Sequence, residues 1–253
     1  MIEVKNLYKS FGKKHVLCGV DLTVKDGETL VIIGGSGTGK SMLLKNVVGL
    51  IKPDKGSIII DGVDVTKAKK EDLFNVQKNI GYLFQEAALF DSMTIEENVA
   101  FGLRNLSNLS ETEIKERVTS CLNMVGLKDI EKLKPAALSG GMKKRVGLAR
   151  AIAYRPKYVF YDEPTTGLDP IMSDVIGSLI LYLKKELNIT SIVVTHDMQS
   201  AYKIADRIIM LYLGKVIFNG TVEEVKNTKN KYVRQFIEGS SKGPIPVDAA
   251  FER

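Results

Sequence analysis

The pattern G-x-x-x-x-G-K-S between residues 34 and 41 constrains this chain most. It is spelled by Gly34, Gly35, Ser36, Gly37, Thr38, Gly39, Lys40 and Ser41. An apolar run, Thr29 to Ile33, precedes it, and the segment Ser41 to Val48 that follows has the composition of a helix. Strand, glycine loop and helix in that order predict a phosphate site. Backbone N–H groups of the loop and the positive end of the helix converge on one point, so an anion is held without opposing side chains. Lys40 adds a point charge for β- and γ-phosphates, and the Ser41 hydroxyl can ligate Mg²⁺. A glycine-rich turn that binds nothing is the alternative, and the flanking strand and helix argue against it.

A second motif lies far along the chain. Tyr158 to Tyr161 read as a buried strand that ends in Asp162, Glu163 and Pro164. Asp162 is placed to hold Mg²⁺. Glu163, just past the strand, is placed to orient and deprotonate an attacking water. Open α/β sheets bind ligands at the C-terminal ends of their strands, which favours this reading over a solvated strand terminus. About twenty residues upstream, Leu138 to Met142 precede a helical pattern with Met142, Val146, Ala149 and Ala153 on one face. Ser139 can cap that helix, and Gly140 and Gly141 allow close approach of a backbone or a phosphate. His196 follows the apolar run Ser191 to Thr195, again at a strand end.

Together these residues resemble the ATPase subunit of an ABC transporter, over nearly the whole chain and with the motifs in that family's order. The resemblance implies an α/β fold: a P-loop NTPase cassette with a RecA-like parallel sheet core, an antiparallel β flank and an α-helical subdomain. It implies an ATPase domain over residues 1–238, with the helical subdomain at roughly 86–157, and a C-terminal tail over 239–253. It implies ATP and Mg²⁺ as cofactors, the metal at Ser41, Gln85 and Asp162. By the same resemblance Phe11 stacks on adenine, Gln85 links Mg²⁺ to the transmembrane partner, and His196 senses the γ-phosphate. Ser139, Gly140 and Gly141 match the signature that contacts the ATP of the opposite subunit. Gly167, Leu168 and Asp169 match the loop that follows the catalytic glutamate.

One departure narrows the subfamily. Met142 stands where the family usually has glutamine, and the basic residues Lys143, Lys144 and Arg145 follow it. This signature is similar to that of Mla-type lipid-transport ATPases, which work with Mce-domain proteins. The stretches Phe84 to Thr94, Glu97 to Phe101, Val233 to Gly239 and Gly243 to Pro246 resemble the same group. The implied partners are a second copy of the chain, integral membrane permease subunits, an Mce-domain lipid-binding protein and a small accessory protein, with no nucleic acid. The implied location is peripheral, on the cytoplasmic side of the inner membrane. An ATPase of a polar amino-acid importer shares every catalytic motif but usually keeps the glutamine. A soluble ABC ATPase of DNA repair or translation generally needs a second cassette, a coiled coil or a zinc insertion, and the sequence carries none of these signals.

Composition sets wider bounds. The 253 residues, 44% of them hydrophobic, suffice for one α/β domain with a smaller subdomain. No apolar run approaches the ~20 residues of a membrane helix. The most apolar helical stretch, Val175 to Leu183, is short and holds Gly177 and Ser178, and Met1 to Lys5 does not resemble a signal peptide. A soluble cytosolic chain is therefore expected, with membrane association through a partner. Cys18 and Cys121 stand apart, without metal-binding spacing, and are read as reduced thiols. The net charge of +6 suits an anionic leaflet, nucleotides or nucleic acid and discriminates none of them. Its clusters, at Lys67, Lys69 and Lys70 and at Lys143 to Arg145, are read as solvated faces.

Periodicity places the remaining elements. Ile2 to Val4, Val20 to Val24 and Ser57 to Ile60 predict the antiparallel flank, with a turn at Asp61 and Gly62. Thr29 to Ile33, Gly81 to Phe84, Tyr158 to Tyr161 and Ser191 to Thr195 predict the parallel sheet, each run covered on both faces. Between Glu86 and Pro156 the pattern is helical, with Ile114, Val118, Cys121 and Leu122 on one buried face. Arg207 to Leu213 and Lys215 to Phe218 predict a hairpin at Gly214, and Thr221 with Glu224 a capping box. His15 has no functional setting and is read as structural or exposed. The tail from Gly239 is rich in Gly, Ser and Pro, yet Ile245, Val247 and Phe251 offer apolar anchors. It is expected to act outside its own domain, as an arm to a neighbouring cassette or an accessory subunit.

Overall fold

Alternate side chains of each central strand enter two separate cores. Leu30 and Ile32 pack on one side of the sheet with Phe160 and Ile192, while Val31 and Ile33 pack on the other with Tyr161 and Val193. A strand covered on both faces must be apolar at every position, which is why these segments read as unbroken hydrophobic runs.

The computed structural model describes residues 1–246. The strands in chain order are β1 (Ile2–Phe11), β2 (Lys14–Val24), β3 (Thr29–Ile33), β4 (Lys55–Ile60), β5 (Val63–Asp64), β6 (Ile80–Leu83), β7 (Tyr158–Asp162), β8 (Thr190–Val194), β9 (Arg207–Tyr212) and β10 (Lys215–Gly220). The helices are α1 (Lys40–Val47), α2 (Lys70–Gln77), α3 (Ile95–Leu106), α4 (Glu111–Met124), α5 (Gly140–Ile152), α6 (Pro170–Leu187), α7 (Met198–Ile204), α8 (Val222–Asn227) and α9 (Lys231–Glu238). One sheet has the order β2-β1-β4-β5 and is antiparallel throughout. The other has the order β10-β9-β3-β8-β7-β6, parallel from β9 to β6, with β10 antiparallel at the edge.

The sequence places the parallel strands to within one residue, but the flank is larger than expected. β1 and β2 run for 10 and 11 residues, where only short pieces are legible, because bulges between Val4 and Leu7 and between Lys9 and Ser10 interrupt the alternation. The expected hairpin at Gly214 is present, and its first strand also pairs in parallel with β3, Val31 opposite Ile208. That long-range pairing leaves no mark on local periodicity.

Helices α3, α4 and α5 pack on one another through Val99, Leu103, Ile114, Val118 and Val146. Capping boxes at Thr94, Ser110 and Thr221 start α3, α4 and α8, and fix where each chain segment enters. The described part of the tail also contacts its own domain. The Ile245 N–H donates to the Gln235 side chain at 2.7 Å, the Gln235 amide donates back to the Ile245 carbonyl at 3.0 Å, and Ile245 packs on the main core. The anchors Val247 and Phe251 lie outside the described residues.

Gly81 sets the distance between β6 and α5. A Cβ there would collide with the Ala151 carbonyl oxygen, so backbone of helix and strand are in direct contact. Gly81→Ala is expected to cost about 1–3 kcal/mol, the usual range for overpacking. In urea titration it would lower the midpoint at an unchanged slope; an unchanged midpoint would contradict the close packing.

Candidate functional site

The glycine loop joins β3 to α1; Gly34 and Gly39 are required by space as well as by conformation, and Gly37 by conformation alone. Gly34, Gly37 and Gly39 have φ of 152°, 74° and 101°. A Cβ on Gly34 would collide with the Leu211 carbonyl, and one on Gly39 would lie 2.8 Å from the Val16 carbonyl oxygen. No side chain caps α1, and its first turn holds no acidic residue, so the N–H groups at that end stay open to an anion. The Lys40 ammonium is buried and donates to the carbonyls of Gly34 and Gly35 at 2.8 and 3.0 Å. It lies 3.6 Å from Glu163 Oε1. Burial pulls its pKa below the usual lysine value, against the opposing charges of Glu163 and Asp162.

The end of β7 faces this loop. Asp162 accepts from the Ser41 hydroxyl at 2.7 Å and from Tyr82 at 3.2 Å. Burial, followed by the Asp162 charge, holds the Tyr82 phenol well above its ordinary pKa. Glu163 is buried in the left-handed region at φ 51°, where a non-glycine residue is strained. Its N–H donates to the Val194 carbonyl at 2.9 Å. Its Oε2 accepts from the Thr166 hydroxyl at 3.2 Å and lies 2.9 Å from His196 Nδ1, on an exposed ring beyond β8.

These groups fit a nucleoside triphosphate with Mg²⁺. The loop offers open N–H groups and a buried ammonium. Ser41 and Asp162 are hard oxygen donors side by side, and Mg²⁺ bound with phosphates needs one or two such protein ligands. A cleft of about 470 Å³ opens beside the loop, within the range of ligand pockets. Lys14, His15, Val16, Gly37, Thr38 and Ile245 are among the residues that line it.

Lys40, Ser41, Asp162, Glu163 and His196 thus meet in one cluster, as the sequence predicts. The expected residues outside the glycine loop do not join it directly. Phe11 is 51% exposed near the β1–β2 turn, so it is not a core aromatic, but it does not line the cleft. Gln85 is exposed, and reaches the cluster through its carbonyl, which accepts from Lys144. Ser139 caps α5, accepting from the Met142 N–H at 3.3 Å. Gly140 faces Leu168 and Gly141 faces Met172. Among the described residues, no hydrogen bond joins these signature residues to the glycine loop. Asp169 caps α6, its carboxylate accepting from the Met172 N–H at 2.9 Å.

Lys144 corrects the reading of Lys143 to Arg145 as a solvated face. It is 5% exposed and donates to the Gln85 carbonyl and, at 3.1 Å, to the Glu163 carbonyl. Arg145 is half-buried and donates to the Gly126 carbonyl at 3.1 Å. Helical spacing holds the missed signal: Gly141, Lys144 and Leu148 fall on one stripe of α5 and are all buried.

The ABC transporter family profile matches residues 17–166. The intermembrane phospholipid transport system ATP-binding protein MlaF of Haemophilus influenzae is 42% identical over 97% of this chain and 93% of its own length. The probable ribonucleotide transport ATP-binding protein mkl of Mycobacterium tuberculosis is 41% identical over 96% of this chain and 68% of its own. Among solved structures, the dimer of an ATP-binding cassette in a post-hydrolysis state with ADP and Pi superposes at a TM-score of 0.81. It is 34% identical and covers 88% of this chain and 99% of that one.

Lys40→Ala is expected to weaken binding of a nucleoside triphosphate by about 10- to 150-fold, the worth of ~1.5–3 kcal/mol in hydrogen bonds to a charged group. Fluorescent-nucleotide titration of the full chain measures it. Unchanged affinity would place the phosphates elsewhere.

Proposed function

The chain belongs to the ABC transporter ATPase family and hydrolyses ATP, and from that premise we propose that hydrolysis drives phospholipid movement through an Mla-type membrane permease. The end-to-end match to a phospholipid-transport ATP-binding protein carries the lipid assignment. The mycobacterial relative names ribonucleotides as cargo, and that is the competing outcome of the test below.

The glycine loop and Lys40 hold the β- and γ-phosphates, Lys40 trading the carbonyls of Gly34 and Gly35 for phosphate oxygens. Ser41 and Asp162 would hold Mg²⁺, with the Gln85 amide completing its shell, and the cation would supply charge neutralisation at those oxygens. Glu163 orients the attacking water and takes its proton, and its strained backbone fixes where the carboxylate points. His196 braces that carboxylate through Nδ1 and presents the rest of its ring towards the γ-phosphate. Phe11 stacks on adenine. Ser139 and Gly140 are exposed, with Gly141 buried beneath them, and all three are separate from their own loop, the arrangement needed to close on the ATP of a second copy, with Asp169 and its loop at the seam.

Two copies closing around ATP can do work on a permease because ATP favours the closed pair over the open one. Gln85 and the helical region of roughly 86–157 carry that motion to the permease. An Mce-domain lipid carrier and a small accessory protein complete the assembly. No helix of the described residues is long and apolar enough to cross a membrane. We place the chain at the cytoplasmic face of the inner membrane, docked on its permease.

Glu163→Gln is expected to leave ATP binding intact and slow phosphate release by about 10²–10⁴-fold, the usual worth of a general base. Near-normal turnover would remove Glu163 from that role. For the cargo, the complex purified with its membrane partner is expected to move labelled phospholipid between vesicles only with ATP. ATP-driven uptake of ribonucleotide in place of lipid would overturn the cargo and leave the ATPase standing.

A further inference from the structure

Lys144 is a buried cation on α5 whose hydrogen bonds go to two backbone carbonyls from different strands' ends. Its ammonium donates to the Gln85 carbonyl, just past β6, and to the Glu163 carbonyl, just past β7. Among the described residues no carboxylate forms a salt bridge with it. Arg150, six positions further along α5, donates to the Ala88 carbonyl at 2.7 Å and to the Ala87 carbonyl. The segments so gripped are strained: Ala87, Ala88 and Glu163 have φ of 59°, 46° and 51°. Such conformations persist only where the surroundings over-determine them. The helix that supplies both cations begins at the Ser139 cap.

We propose that Lys144 is a positioning residue that clamps the carbonyls of Gln85 and Glu163 together, so that the helix bearing Ser139 to Gly141 sets the aim of the Glu163 carboxylate in its own protomer. The inference rests on the reading of Glu163 as the base. A rigid helix carries at one end the residues that meet the second copy's nucleotide, and one to two turns further on the ammonium that holds the catalytic backbone. A shift of α5 on closure therefore reaches Glu163 directly. Stability does not explain the lysine, because burial costs its ammonium more than the nearby charges of Glu86, Glu163 and Asp162 return, and an apolar side chain of the same length would fill the space. A single donor shared by the Gln85 carbonyl and the Glu163 carbonyl, which also accepts from the Thr166 N–H at 3.3 Å, does explain it. The cation also lets α5 hold them without a second acceptor to compete.

The test uses the full chain with Lys144→Met, which keeps the length and removes the donor, and Lys144→Arg, which restores one. In the nucleotide-free protein, Lys144→Met is expected to speed amide hydrogen exchange at Glu86 to Leu89 and at Glu163 to Thr166, while the urea midpoint does not fall. Its kcat is expected to drop about 10- to 100-fold with ATP affinity unchanged, as for a misplaced catalytic group. Lys144→Arg should recover most of both readouts. Wild-type exchange at either segment, or faster exchange without loss of kcat, would overturn the clamp. So would a kcat loss matched by equal losses of affinity and midpoint, which would mark a merely structural lysine. Should the methionine variant not fold, Lys144→Leu, which also removes the donor, is judged by the same readouts. Exchange is read without nucleotide, so the clamp is decided even if Glu163→Gln retains turnover and the base assignment fails.

Discussion

Two adjacent carboxylates buried at the end of one strand need partners, and the rest of the site is arranged around supplying them. A buried carboxylate costs several kcal/mol unless it is hydrogen-bonded or paired, on the order of the whole stability of a domain when two are left alone. Asp162 is satisfied by Ser41 from α1 and Tyr82 from β6, and Glu163 by Thr166, His196 and the nearby Lys40. These partners come from four places in the sequence. They meet because the sheet order puts β7 between β6 and β8, with β3 and its glycine loop one strand further.

That order also makes the site loadable. Lys40 and Ser41 make hydrogen bonds now that phosphate and a divalent cation could replace with stronger charge-assisted ones. Asp162 and Ser41 stay together in either arrangement, while Lys40 can leave the carbonyls of Gly34 and Gly35. Only the part of that gain made in a closed pair of cassettes and not in an open one can drive closure.

The cluster of Lys40, Ser41, Asp162, Glu163 and His196 is the most legible part of the sequence. Its motifs depend on local backbone needs: glycines where a Cβ has no room, acids at the end of an apolar run, a hydroxyl after a lysine. Legibility failed where long-range packing decides. The parallel pairing of β9 with β3 joins segments far apart in sequence, and only the topology reveals it. Lys144 looked like part of a solvated basic run because its neighbours are basic, although its place on the α5 stripe was readable. Asp169 carried a local cap that its family role did not announce, since Asp before Pro170 is also a helix start. The tail looked like a linker by composition, yet Gln235 and Ile245 exchange two hydrogen bonds that composition cannot express.

The shared site proposed above sets the glycine loop of one copy against Ser139 to Gly141 of the other. Sedimentation of the Glu163→Gln chain with and without ATP decides whether it forms, with Gly140→Asp added in the same background. Glu163→Gln alone is expected to dimerise only with ATP. With Gly140→Asp a monomer that still binds ATP is expected. A full ATP-dependent dimer in the presence of Gly140→Asp would rule the shared site out.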